Sequence, residues 1–322
     1  MALSSTVTMA PRFNFFFHPL RFSFLARDSI CFPVGKSGNI IRGAFGMIFR
    51  KLACGCGAVS RQHLPGCAYG RIFEPASMGI GPSGLADPPR PFVFRAAHLD
   101  GRTIRSGGTF QFDVHIFDLR HETPAYFALA FAQLAREGLG PGRGRADLAR
   151  VDQLGLDGAV RVQIFDGATF LLTQPPDPAE LDLSPDPGPV DRVTVRFLTP
   201  TELKSGQQLA SRPEFPILFG RIRDRVSTLR ALYGAGPLEI DFRAMGERAA
   251  EVRMTRCEIR SEVVSRRSAK TGQRHPIGGF VGVAVYEGPL AEFLPYLRAA
   301  RWTGVGRQTV WGKGVIEVGE AG

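Results

Sequence analysis

A chain of 322 residues with 44% hydrophobic content fills one large core or two ordinary ones, which excludes a disordered tail. Its 40 Lys and Arg against 30 Asp and Glu leave a net charge of +10, so the natural partner is a polyanion, nucleic acid ahead of an acidic membrane surface. No run reaches the ~20 apolar residues of a spanning helix, the N-terminal stretch lacks the marks of a secretory signal, and five cysteines cannot all pair, so the expected setting is the reducing cytoplasm.

In chain order, a strand is expected from Arg12 to Leu25. A helix follows, its apolar residues Ile41, Phe45, Ile48 and Leu52 spaced four, three and four apart. From about Gly55 to Pro91 the sequence is rich in Gly and Pro and reads as an insertion. Phe110, Phe112, Val114 and Ile116 alternate as a strand, and Phe127, Phe131 and Leu134 mark a helix running into GLGPGRGR. The acidic, proline-crowded stretch up to Asp191 reads as a linker, placed at 176–191.

The second half has the clearer pattern. Val193, Val195 and Phe197 alternate in a strand, and Leu218, Ile222, Val226, Leu229 and Tyr233 line one helix face. Cys257, Ile259, Ser261 and Val263 alternate in a second strand, and Val281, Val283 and Val285 in a third, the two forming a hairpin about a basic loop. Leu290, Phe293, Leu294 and Leu297 give a second helix, and VIEV a closing strand. The order is βαββαβ, and the first half follows the same plan, so the expected fold class is α+β, two tandem ferredoxin-like (RRM-like) domains at 1–175 and 192–322.

Glycine-rich turns end the last helix of each half. Gly304, Gly306, Gly312 and Gly314 surround Arg307 and Lys313, and Gly138, Gly140, Gly142 and Gly144 accompany Arg143 and Arg145. Glycine lets backbone amides approach a phosphate while adjacent cations supply charge, so both turns are candidate RNA-backbone sites.

The stretch from Val263 to Val318, with its SRR-to-GGFVG hairpin and terminal glycine-rich loop, resembles the C-terminal domain of the CRISPR-associated endoribonuclease that processes precursor crRNA, the Cas six family. IRGAFGMIFRKL (Ile41 to Leu52) and CAYGRIFEP (Cys67 to Pro75) resemble its first domain. The resemblance implies a tandem ferredoxin-like fold of the RAMP superfamily that binds a CRISPR repeat and cuts it without a metal ion or cofactor. In such cleavage the ribose 2′-hydroxyl attacks the adjacent phosphorus and leaves a 2′,3′-cyclic phosphate, so the enzyme needs a base, an acid and cations around the phosphorane.

His275 is the first candidate base, because it lies in a dense basic hairpin loop with Arg266, Arg267, Lys270 and Arg274, all candidate RNA contacts. The bland reading is that it touches a phosphate or caps a strand. His18 and His115, on strands of the first half, follow in that order, while His63 and His98 look like loop residues. The family places its catalytic histidine near or on the first helix. Here that helix, Asn39 to Ala53, offers Arg42, Arg50 and Lys51 and no histidine, so the base lies elsewhere or is absent. A non-catalytic RAMP subunit of a CRISPR effector complex and a general basic RNA-binding protein stay open as alternatives. Arg221, Arg223, Arg225 and Arg230 read by default as a solvated helix face. Cys54, Cys56 and Cys67, with His63 between them, are candidate ligands of a structural zinc, but a one-residue gap followed by ten is poor knuckle spacing and ordinary reduced thiols are the stronger expectation.

Overall fold

The computed structural model describes residues 13–56, 63–76, 88–171, 176–267 and 274–320, with the backbone alone at 263–267, 274–277 and Glu320. The first half runs β1 (Asn14–Ala26), β2 (Ile30–Cys31), α1 (Ser37–Ala53), α2 (Ala68–Ile72), β3 (Phe92–Arg95), β4 (Thr103–Ile104), β5 (Thr109–Ile116), α3 (Thr123–Glu137), β6 (Ala146–Leu154), β7 (Val160–Phe165) and β8 (Ala179–Asp182). The second runs β9 (Arg192–Thr201), β10 (Lys204–Ser205), β11 (Gln208–Leu209), α4 (Phe215–Tyr233), α5 (Phe242–Ala249), β12 (Arg253–Arg267), β13 (Arg274–Glu287), α6 (Leu294–Thr303) and β14 (Ile316–Glu320).

Each half builds an antiparallel sheet on one plan. The first orders its strands β3-β5-β1-β6, extended by β7, and the second β12-β13-β9-β14. In βαββαβ numbering both read 2-3-1-4, the order of a ferredoxin-like unit, with one helix after the first strand and another after the third. Along β9 the valines and Phe197 are buried while Arg192, Arg196 and Leu198 face solvent, as a half-buried strand requires. The expected stripe of α4 is inside, with Leu218, Ile222, Val226 and Leu229 fully buried. Ring contacts tie the helices together in each unit, Phe45 to Phe127 at 4.7 Å between centroids and Phe219 to Tyr296 at 5.7 Å.

The cores of the two units meet through two strands. On β1 the even positions Leu20, Phe22, Phe24 and Ala26 enter the first core, while Phe15 and Phe17 enter the second. On β3, Phe92 and Phe94 belong to the first core and Val93 to the second. A strand clamped between two cores has no solvent face, so FVFR shows no alternation of polarity and gives no periodic signal.

The proline-rich stretch differs from the expected linker. Its AELD segment pairs antiparallel with the start of β1, Asn14 opposite Asp182 and Phe17 opposite Ala179. Those four residues contain no proline, so their amides can join a ladder. The stretch read as an insertion likewise contains α2, packed through Tyr69 and Phe73 against Phe45 and Phe49 of α1. β6, β7 and α5 are also elements that periodicity did not bring out.

Trp302, 8% exposed at the end of α6, sits 5.1 Å from Phe17 and 5.0 Å from His115, so it is held by the other half of the molecule. Trp302→Ala is expected to cost about 3–5 kcal/mol in unfolding free energy, the usual loss for truncating a buried aromatic, read from guanidinium denaturation. A change under about 1 kcal/mol is of the size expected for an ordinary surface substitution and would show that the seam is not packed as described.

Candidate nucleic-acid interface

The last carbonyls of a helix have no partners inside it, and their end of the helix carries a partial negative charge. At α6 these carbonyls meet cations. Arg95 of β3 donates to the Arg301 and Trp302 carbonyls at 2.8 and 2.9 Å, and Arg225 of α4 donates to the Thr303 carbonyl at 2.9 Å. Nδ1 of His115 hydrogen-bonds the same Trp302 carbonyl at 2.9 Å. Burial lowers the Arg95 guanidinium to about 9 and that of Arg225 to about 10.

The glycine turn that follows α6 is built into this seam. Gly304 N–H donates to Ala300, Val305 to Gly314, Arg307 to Glu202, Gly312 to Thr309 and Gly314 to Pro200. The expectation of bare amides there is corrected, since these N–H groups are used within the fold and Gly304, Gly312, Lys313 and Gly314 are buried. The glycines are required by close approach. A Cβ on Gly314, at φ +69°, would lie 1.9 Å from the Val305 oxygen, and one on Gly38 at the start of α1 would lie 2.4 Å from the Trp311 oxygen. The turn in the first half is a closed loop too, with Leu139 and Gly144 exchanging amide bonds at 2.8 and 3.0 Å. Arg143 donates to the Glu137 carbonyl, and Arg145 pairs with Asp28 at 2.7 Å.

The seam does hold a cationic cavity. It has a volume of about 410 Å³ and is bounded by Pro88, Pro89 and Arg90 of the first half, Lys204, Arg221, Asp224 and Arg225 of the second, and the turn from Gly306 to Trp311. Arg90, Lys204, Arg221, Arg225 and Arg307 face a single carboxylate, Asp224. Arg307 also pairs with Glu202, and Asp224 with Arg223. Nη2 of Arg225 and Oε1 of Gln308 are buried without a hydrogen-bond partner among the described residues. Arg221 and Arg225 share a helix face at i and i+4, so the expected solvated face of α4 is in part the wall of this cavity. Arg230 is buried and donates to the Asn14 carbonyl at 2.9 Å, while Arg223 donates to Phe242.

The histidines are distributed otherwise than expected. His18 and His115 are 3% and 5% exposed, and burial lowers both, His115 to about 3. His18 is bound to Gln153 at 3.2 Å. Both rings are structural, because their place on β1 and β5, between the two cores, shuts them off from a substrate. The backbone of His275 lies on β13 opposite Arg266, with Arg274 opposite Arg267. The side chains of Arg266, Arg267, Arg274 and His275, and all of Lys270, fall outside the described residues. His98 caps the Gln111 carbonyl at 2.8 Å, and the ring of His121 is exposed beside Glu122. No imidazole lines the seam cavity among the described residues.

At the far end of α1 a second group of polar side chains converges. One donor atom from each of Cys54, Cys56, His63 and Cys67 lies within 4.8 Å of all the others. The end of α1 and the start of α2 bring together residues whose spacing argued against a site.

A family model described as CRISPR-associated endoribonuclease Cas6 matches residues 195–316, and one described only as an N-terminal domain matches residues 14–177. The second half of the chain is thus similar to the Cas6 family. Solved Cas6 structures share its fold at low identity. A Cas6 product complex superposes with a TM-score of 0.57 at 17% identity, covering 94% of this chain and 98% of that one. Thermus thermophilus Cas6 gives 0.51 at 16%, covering 96% and 99%. A partial Cas6-RT-Cas1–Cas2 complex gives 0.53 at 13%, covering 97% of this chain and 47% of the longer one. No curated protein matches.

The placement of the histidines has a measurable consequence. His115 takes up a proton near 6.5 when unfolded but only near 3 when folded. The unfolded state therefore binds more protons below pH 6.5, and stability is lost as pH falls, at about 1.4 kcal/mol per unit for this one group. Between pH 6.5 and pH 5 the expected loss is about 2 kcal/mol from His115, with His18 adding to it. Urea midpoints measured across that range should fall steeply, and His115→Gln should flatten the slope. An unchanged slope in the variant would show that His115 titrates normally.

Proposed function

We propose that this chain binds CRISPR repeat RNA across the seam between its two ferredoxin-like units and cleaves it there as a precursor-crRNA endoribonuclease. The observation that carries the reading is the group Arg90, Lys204, Arg221, Arg225 and Arg307 around one cavity, in a chain whose second half is similar to the Cas6 family. Five cations and one carboxylate give a field that attracts a phosphate backbone.

Cleavage follows from the chemistry of RNA itself. The 2′-hydroxyl attacks the neighbouring phosphorus, the P–O5′ bond breaks, and the products are a 2′,3′-cyclic phosphate and a 5′-hydroxyl. The charge that builds on the phosphorane is met by guanidinium groups already fixed in place, Arg225 by the Thr303 carbonyl and Arg307 by Glu202. Lys204 supplies the proton to the departing 5′-oxygen, a role its ammonium can fill without a metal. The 2′-hydroxyl proton passes to water or to His275, the base expected from the sequence. With no imidazole in the cavity among the described residues, the second reading is an RNA-holding RAMP subunit that does not cut, as part of a CRISPR effector assembly.

End-labelled repeat RNA incubated in EDTA separates these readings. The expected result is a single cut leaving a 2′,3′-cyclic phosphate, slowed at least ~10²-fold by Lys204→Ala, the usual size of a lost general acid. Arg221→Ala and Arg307→Ala should weaken binding on all repeat sequences and each lower the salt slope by about 0.7, the share of one phosphate contact on a single strand. Tight binding without product at any pH selects the holding subunit. A cut that needs magnesium contradicts the mechanism.

A further inference from the structure

The cluster at the end of α1 has no part in the RNA reading, yet its arrangement is specific. Cys54 is the C-cap of α1 and Cys67 the N-cap of α2. Cys56 and His63 complete a C-x-C-x6-H-x3-C pattern. Nδ1 of His63 lies 3.6 Å from the Cys54 sulfur and 3.7 Å from that of Cys67. A tetrahedral zinc ion with Zn–S of about 2.3 Å and Zn–N of about 2.0 Å sets its sulfur and nitrogen ligands roughly 3.6 Å apart. The observed separations meet that requirement.

The surroundings are also those of a metal site. Leu64 N–H donates to the Cys56 sulfur at 3.3 Å, and Gly70 N–H donates to that of Cys67 at 3.4 Å, bonds that suit a thiolate better than a thiol. Nε2 of His63 lies 3.2 Å from Oε2 of Glu74, whose other oxygen accepts from Tyr69 at 3.3 Å. A carboxylate on the far nitrogen fixes the tautomer that leaves Nδ1 free to bind a metal. Gly70 is required for this, because a Cβ there would come within 2.6 Å of the His63 Cβ. All three cysteines are free of disulfides.

We infer that Cys54, Cys56, His63 and Cys67 bind one zinc ion as a closed, structural S₃N site. On binding, three thiols release their protons to water and zinc keeps its oxidation state, so no redox partner is involved. Four protein ligands leave no open position for a substrate, in agreement with a role outside catalysis. The ion ties the end of α1 to α2, and α2 in turn holds the cavity: its C-cap Phe73 accepts a hydrogen bond from Arg90 at 2.7 Å.

Metal content tests this without reference to RNA. The full chain, purified and dialysed against metal-free buffer, should carry one zinc per chain by plasma mass spectrometry. After removal of zinc, cobalt(II) should restore the fold and give the visible d–d bands and sulfur-to-metal charge transfer of a tetrahedral thiolate site. Cys67→Ser should lose the zinc and melt earlier, while Cys257→Ser, outside the cluster, should keep both. Should Cys67→Ser fail to fold, the cobalt spectrum of the unaltered chain decides. A folded, unaltered chain with background zinc and no tetrahedral cobalt spectrum, or with iron–sulfur absorption instead, overturns the inference.

Discussion

The end of α6 is the point on which the molecule turns. Its carbonyls are left unpaired by the helix and are taken up by Arg95 and His115 from one unit and Arg225 from the other. Trp302 closes the same place by packing on Phe17. Removing charge from water to this depth is costly, and the fixed negative end of the helix is what offsets it. The glycine turn can then fold back under Pro200 and Glu202 and press Trp311 against Gly38. Two units that share no continuous sheet are thereby set at one angle, and the cavity between them acquires a defined shape.

That geometry assigns the cations of the seam two different jobs. Arg95 and Arg230 are internal props that donate to carbonyls away from the cavity. Arg90, Lys204, Arg221 and Arg307 line the cavity wall, where a phosphate can replace water. Arg225 belongs to both groups, with Nε on the Thr303 carbonyl and Nη2 unpartnered.

Much of the fold was legible because its periodic signals are local. RVTVRFL alternates because one face of β9 meets the core and the other meets water, and the α4 stripe is buried at Leu218, Ile222, Val226 and Leu229, with Tyr233 half-buried at its end. β3 was illegible for the opposite reason: Phe92 and Phe94 face one core and Val93 the other. β8 was hidden by its neighbours, since the prolines around AELD dominate the composition of that stretch. The site was less legible still. Arg90 and Lys204 stand far apart in sequence and in unremarkable contexts, and only the seam brings them together. Composition drew attention instead to the glycine turns, whose amides at Gly138, Gly144, Gly304, Gly312 and Gly314 are spent on the fold. His18 and His115 drew it through residue type alone, before burial could be known. The converging thiols were discounted on spacing, because separation along the sequence does not show that the end of α1 and the start of α2 meet.

The central claim is that RNA lies in the seam and not on the turns as separate patches. Photocrosslinking of repeat RNA carrying 4-thiouridine, followed by mass spectrometry of the tryptic peptides, tests it most directly. Crosslinks concentrated on the α4 face around Arg221 and Arg225 and on Gly306 to Trp311 are the predicted result. Crosslinks confined to the Gly138–Gly144 turn or to the outer surface of either sheet, with none in the seam, would contradict it.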